Sequence, residues 1–214
     1  MSQKERSVFW DNVAGVYDIF VNLINRKTHQ RLREAVAGMV GPEDAVLECA
    51  CGTGMITSAM AARCRWVTAT DFSSRMLERA KRNCFALGNI TYRTADITDL
   101  PFENASFDKV VAGNVIHLLD DPLKAVREME RVCRPGGTLI IPTYINKDNE
   151  GRTGAFVSTV GKVGADFKRQ FNAYSYRQFF MDAGYPQTEI WVADGMIPCA
   201  VAVIRKEQSE SVKY

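Results

Sequence analysis

The sequence predicts an α/β fold: a mostly parallel, seven-stranded sheet with helices on both faces. From residue 45 to about residue 144, short apolar runs of strand length alternate with amphipathic helical stripes, and two further strand-like runs follow near the C-terminus. Each strand–helix–strand step of this kind makes a parallel pair covered by a helix. The 214 residues, 46% apolar and 24% charged, suffice for one domain over residues 1–214 with a continuous core. A disordered or collagen-like chain is excluded.

Taken in order, the N-terminal residues 1–40 are expected to be helical cover for the sheet edge. Val16, Tyr17, Phe20, Leu23 and Ile24 form an apolar face, and a helix over residues 28–40 stops at Gly41-Pro42. Strands are expected at residues 45–50, 66–71, 90–94, 107–112, 138–144, 188–192 and 199–205. Met76, Ala80, Cys84 and Leu87 recur at helical spacing in a segment that stops at Gly88. Leu123, Val126, Met129 and Val132 form another stripe, with Asp121 as N-cap, Pro122 at the first helical position and a stop at residues 134–137. Residues 145–173, with Phe156, Val160, Val163 and Phe167 at helical spacing, are read as a second covering segment. Ser175 to Gln178 has capping-box spacing and opens a helix that ends before Gly184; residues 206–214 form a tail.

The 27 basic residues against 25 acidic ones give a formal charge of +2, too small for a broad basic face, so no nucleic-acid partner is expected. The N-terminus enters mixed charge with no apolar run behind it, and no stretch is long enough to span a bilayer. A cytoplasmic protein without membrane insertion is the expectation. Six separated cysteines and two histidines contain no C-x-x-C pair, so no metal site is expected and the thiols are read as reduced packing residues.

Ligands of open α/β sheets bind beyond the carboxyl ends of the strands. At the first such end, Glu48-Cys49-Ala50-Cys51-Gly52-Thr53-Gly54 runs into a helix, and Gly52 and Gly54 allow backbone N–H groups to approach a ligand closely. The second strand ends at Asp71, where a carboxylate can accept hydrogen bonds from ribose hydroxyls. Asp96 and Ile97 follow the third strand, offering an acceptor for an exocyclic amine and an apolar face for a purine. Asn114 follows the fourth, with His117 three residues on. Either Asp71 or Asp96 alone reads as a turn residue; together, at successive strand ends, they point to an adenosine ligand. The third glycine of a dinucleotide fingerprint is replaced by Thr57, and no Gly-Lys-Ser/Thr follows. The loop therefore suits an adenosine whose tail is not a polyphosphate.

These segments, VLECACGTG (46–54), VTATDFSSRML (67–77), ADITDLPFENASFDKVVAGNVIHLL (95–119) and RVCRPGGTLII (131–141), resemble the successive motifs of class I S-adenosylmethionine-dependent methyltransferases. The likeness is greatest to the small-molecule branch that includes ubiquinone and menaquinone biosynthesis enzymes, and FWDNVAGVYD (9–18) and YSYRQFFMDAGY (174–185) extend it. The resemblance implies a Rossmann-like fold and methyl transfer from S-adenosyl-L-methionine, with S-adenosyl-L-homocysteine as product. It implies that residues 45–144 are the cofactor-binding core, residues 1–40 a lid and residues 145–173 a substrate cap. By the same resemblance, Glu48 lies near the cofactor's amino-acid part and Ala50, Cys51, Gly52 and Gly54 form the loop. Asp71 takes the ribose, Phe72 and Ile97 pack near the adenine, Asp96 meets its amine, Asn114 lines the methionine portion, Tyr17 closes over the site, and Met76 belongs to the same cofactor-binding set. The family usually has glycine where this chain has Ala50, so a slightly shifted loop with retained binding is expected.

A general base is needed only for an acceptor that arrives protonated. His117 is the candidate, against a structural role for a histidine just past a strand; His29 is read as surface or lid. Tyr144, Tyr174 and Tyr176 can face an acceptor or simply pack. Cys49 and Cys51, placed on one face by strand alternation, invite a metalloid-thiol reading, which their distance from the acceptor side disfavours. A hydrophobic acceptor (quinone, lipid headgroup or aromatic metabolite) is expected. The competing readings are a cofactor-binding protein without catalysis and an NAD-dependent oxidoreductase.

Overall fold

The computed structural model describes residues 25–146 and 168–208. Tyr17, the rest of the N-terminal segment before residue 25, the stripe at residues 156–167 and residues 209–214 lie outside them. The described chain runs α1 (Arg26–Gly38), β1 (Ala45–Cys49), α2 (Met55–Ala61), β2 (Trp66–Asp71), α3 (Ser74–Asn83), β3 (Ile90–Thr94), β4 (Phe107–Ala112), a 3-10 turn (Ile116–Leu118), α4 (Pro122–Val132), β5 (Cys133–Tyr144), α5 (Ala173–Asp182), β6 (Glu189–Ala193) and β7 (Cys199–Arg205). The strands form one sheet in the order β3-β2-β1-β4-β5-β7-β6. β1 to β5 are parallel to one another, and β7 is antiparallel to both β5 and β6. The sheet is thus the mostly parallel, seven-stranded, Rossmann-like one. The chain reverses its direction of travel between β1 and β4, which opens a crevice at their carboxyl ends.

Alternation along the central strands builds two cores. Val110 and Ile141 face one side with Met129 of α4 and Phe180 of α5, whereas Val111 and Ile140 face the other with Leu32 of α1 and Met60 of α2. Phe180 and Tyr176 are fully buried, each an apolar burial of ~1.5–3 kcal/mol, and the Tyr176 hydroxyl donates to the Ile141 carbonyl at 2.8 Å.

Several boundaries move, for local reasons. α1 starts two residues earlier than expected and ends at Gly38. α3 stops at Asn83, short of Gly88, because the Asn83 amide turns to the Thr53 carbonyl at 2.9 Å and the Cys84 thiol packs on Gly54. β5 begins at Cys133 because Cys133 already pairs with Phe107 and Gly136 and Gly137 exchange backbone hydrogen bonds with Lys206. The capping box of α5 is formed by Asn172 with Ser175 as its third residue: the extended backbone of Asn172 makes it the cap and places Ser175 inside the helix. Asp121 caps α4, accepting from the Lys124 N–H at 2.9 Å. All six cysteines are buried and unpaired, and among the described residues no helix is long and apolar enough to cross a membrane.

Candidate functional site

A cavity of about 270 Å³ lies at the carboxyl ends of β1 to β4. Of the residues expected to bind a cofactor, Ala50, Gly52, Asp71, Phe72, Met76, Asp96, Ile97 and Asn114 line it together. Asp71 organises its floor. The carboxylate is buried, and one oxygen accepts from the Gly52 N–H at 2.9 Å while the other accepts from the Ser73 N–H at 2.9 Å. One side chain thereby ties the loop after β1 to the start of α3, whose own cap is the Ser73 hydroxyl accepting from the Met76 N–H at 3.1 Å. Asp96 is held in an Asx turn, its Oδ1 accepting from the Thr98 N–H at 2.8 Å and the Thr98 hydroxyl at 2.9 Å.

The two glycines of the loop do different work. Gly52 has φ of 54° and open space where a Cβ would stand, so the backbone faces the cavity uncovered. Gly54, at φ of 88°, does not line the cavity; a Cβ there would meet the Cys84 sulfur at 2.9 Å and the Ala80 Cα at 3.2 Å. Its glycine is required for packing α2 on α3. Ala50 carries φ of 55°, a left-handed conformation that suits glycine, and its methyl borders the cavity. That residue also breaks the strand alternation. Cys49 and Cys51 consequently enter the two opposite cores, which corrects the expectation that they share a face. Burial raises both thiols well above their ordinary range, leaving them protonated and poorly nucleophilic.

Glu48 lies behind the loop rather than on the cavity wall. Its carboxyl is buried and accepts from the Thr57 hydroxyl at 2.5 Å. Burial pushes its pKa up to about 8; the Thr57 hydroxyl opposes that rise and the nearby Asp71 charge adds to it. Thr57, which occupies the position of the missing third glycine, is a fully buried link to Glu48.

His117 is buried, with Nδ1 at 2.8 Å from the Thr143 hydroxyl, and does not line the cavity. Burial lowers its pKa to about 4, so it is a neutral structural ring at pH 7. His29 is likewise buried rather than on the surface, with Nε2 at 2.7 Å from the Tyr144 hydroxyl, and burial lowers it to about 4. Tyr174 is exposed and Tyr176 is committed to the core. Residues not assigned from the sequence complete the wall: Ala95, Thr98, Gly113 and Val115, then Leu118 to Asp121 and Lys124. Their position just past β3 and β4 was the available signal, but residues 118–121 carry no residue type specific to adenosine.

A methyltransferase-domain family profile matches residues 47–141, from Leu47 within β1 to Ile141 within β5. A ubiquinone/menaquinone biosynthesis C-methyltransferase of Bdellovibrio bacteriovorus is 34% identical over 182 residues, covering 81% of this chain and 77% of that protein. The chain belongs to the class I S-adenosylmethionine-dependent methyltransferase family. A demethylmenaquinone methyltransferase of Clavibacter sepedonicus is 35% identical over 137 residues, 63% of this chain and 56% of that protein. The chain spans a little over half the length of the demethylmenaquinone methyltransferases it matches. An S-adenosylmethionine-dependent methyltransferase of Thermotoga maritima shares the fold, with a TM-score of 0.71 at 20% identity, over 93% of this methyltransferase-family chain and 99% of that one.

Proposed function

We propose that the protein transfers a methyl group from S-adenosyl-L-methionine to a hydrophobic small-molecule acceptor, with a quinone-type ring as the favoured class. The observation that carries this reading is the Asp71 carboxylate, fixed by two N–H donors in the floor of a cavity that also holds Asp96 and the apolar Phe72, Met76 and Ile97. These groups suit a nucleoside: Asp71 for the ribose hydroxyls, Asp96 for the adenine amine and Phe72 and Ile97 for its faces. Open space at Gly52 admits close approach of the ligand to backbone. The buried Thr57–Glu48 link stands where a dinucleotide site needs glycine, which supports a mononucleoside over NAD.

When bound, the cofactor supplies an electrophilic methyl on a sulfonium. The protein's task is alignment, and orientation alone can supply ~7–11 kcal/mol. Asn114, held at φ of 55° with its N–H donating to the Pro142 carbonyl at 2.8 Å, sits where β4 meets the cavity and would border the methionine end. His117 is too buried to take a proton from an acceptor there, so the general-base assignment is not carried forward. The quinone class rests on the names of the relatives and on the near-neutral charge, which favours a small acceptor over nucleic acid. Incubation with methyl-labelled cofactor and a panel of demethylated quinones, lipid headgroups and small phenols tests it. Label in a quinone product supports the proposal; cofactor binding without label in any product would favour a binding protein.

A further inference from the structure

One side of the cavity is a loop rather than a strand end. After β4 the chain makes the 3-10 turn at Ile116–Leu118 and contributes Leu118, Leu119 and Asp120 to the wall. The carbonyls of this loop are satisfied from a residue some fifty positions away. The Arg169 N–H donates to the His117 carbonyl at 3.2 Å, and its guanidinium donates through Nη1 to the Leu119 carbonyl at 2.7 Å and through Nη2 to the Asp120 carbonyl at 3.2 Å. Arg169 does not itself line the cavity. Two residues on, Phe171 is buried against Tyr176 and Phe179, and its carbonyl accepts from the Asn146 N–H at 2.8 Å. The strut therefore has a fixed base on the core and grips a short wall element with a planar fork suited to two acceptors at once.

We propose that Arg169 is a positioning residue for the cofactor: it holds residues 117–120 at the distance from Asp96 and Ile97 that an adenosine requires. The proposal rests on the reading that this cavity takes S-adenosylmethionine. Asp120 is exposed and Leu119 half-buried, so water can reach these carbonyls once the guanidinium is gone. Loss of the side chain then costs the fold little while it releases the wall. Adjacent Lys168 meets the exposed Asp120 carboxylate in a 3.6 Å ion pair, a surface contact that is weak by comparison.

The test titrates S-adenosylhomocysteine by calorimetry into the wild type and the Arg169→Ala, Arg169→Lys and Lys168→Ala variants, with amide hydrogen exchange and thermal unfolding of each unliganded protein. Arg169→Ala is expected to weaken affinity ~10-fold and to speed exchange in residues 114–121, with the unfolding temperature nearly unchanged. Arg169→Lys, which keeps the cation but cannot fork across two carbonyls, is expected to fall between, and Lys168→Ala to change affinity by less than about 2-fold. Linkage requires the converse too: ligand slows exchange of the same loop in the wild type. Unchanged affinity in Arg169→Ala overturns the proposal, as does faster exchange throughout the core with a large fall in unfolding temperature. If the alanine variant does not fold, Arg169→Lys decides by the same criteria. A wild type that binds no S-adenosylhomocysteine refutes the cavity reading instead, and the exchange data still report whether Arg169 holds the loop.

Discussion

Replacing Asp71 separates its work on the loop from its work on the ligand. In the folded protein its carboxylate accepts from the Gly52 and Ser73 N–H groups, each at 2.9 Å, from a buried position. Hydrogen bonds to a charged group contribute about 1.5–3 kcal/mol. Part of that is recovered by water at the loop, so Asp71→Ala is expected to lower folding stability by about 2–4 kcal/mol. At ~2–4 °C per kcal/mol for a chain of this size, the unfolding temperature falls measurably while the protein stays folded in the cold. If two ribose hydroxyls also bond to this carboxylate, their loss at the low end of the same range weakens binding by ~3 kcal/mol, or ~10²-fold. Asp71→Asn keeps one carbonyl acceptor and the side-chain shape, so its loss of affinity is smaller, ~10-fold. Calorimetry with S-adenosylhomocysteine at 10 °C, beside thermal unfolding, reads both effects. A folded Asp71→Ala protein whose affinity lies within about threefold of wild type would refute the ribose assignment.

Other expectations follow from the same geometry. Gly54→Ala combines a positive φ with a Cβ pressed on Cys84 and Ala80, and is expected to destabilise the fold by about 2–4 kcal/mol in denaturant unfolding. At Ala50, glycine relieves the left-handed strain, so Ala50→Gly should raise stability by up to about 1 kcal/mol and leave cofactor affinity intact. Glu48, at about 8 in the folded chain against an ordinary 4.5, contributes stability below the lower value and loses it as pH rises toward the higher one. The stability of Glu48→Gln relative to wild type should therefore rise by at most ~1.4 kcal/mol per pH unit between pH 5 and 8, and a flat difference would contradict the buried, protonated acid. His117, lowered from 6.5 to about 4, acts in the opposite sense: its contribution is complete above pH 6.5 and lost as pH falls toward 4. His117→Asn should blunt acid unfolding without altering the pH profile of methyl transfer; loss of the profile's acidic limb in that variant would restore the histidine as a base.

The sheet was legible because its signals are local. Strand-length apolar runs and amphipathic helices of the expected period placed all seven strands, and Asp71 and Asp96 stood at the ends of β2 and β3 where ligand-binding carboxylates belong. Errors arose where one backbone angle or one distant contact decided the outcome. The left-handed Ala50 sends Cys49 and Cys51 into opposite cores, and no periodicity announces that. Gly54 looked like a ligand-facing glycine because the Cys84 sulfur pressed against it comes from the residue that ends α3, thirty positions away. The loop wall at residues 118–121 and its Arg169 strut depend on contacts spanning about fifty residues, which residue type and spacing do not encode. His117 was correctly placed past β4, but the Thr143 hydroxyl that turns it inward belongs to β5.

The most direct measurement is a crystal structure of the protein with S-adenosylhomocysteine. The predicted result puts the ribose hydroxyls on the Asp71 carboxylate, the adenine between Phe72 and Ile97 with its amine toward Asp96, and the sulfur beside Asn114. Ligand density elsewhere on the molecule, or an adenosine in this cavity whose ribose does not touch Asp71, would contradict it.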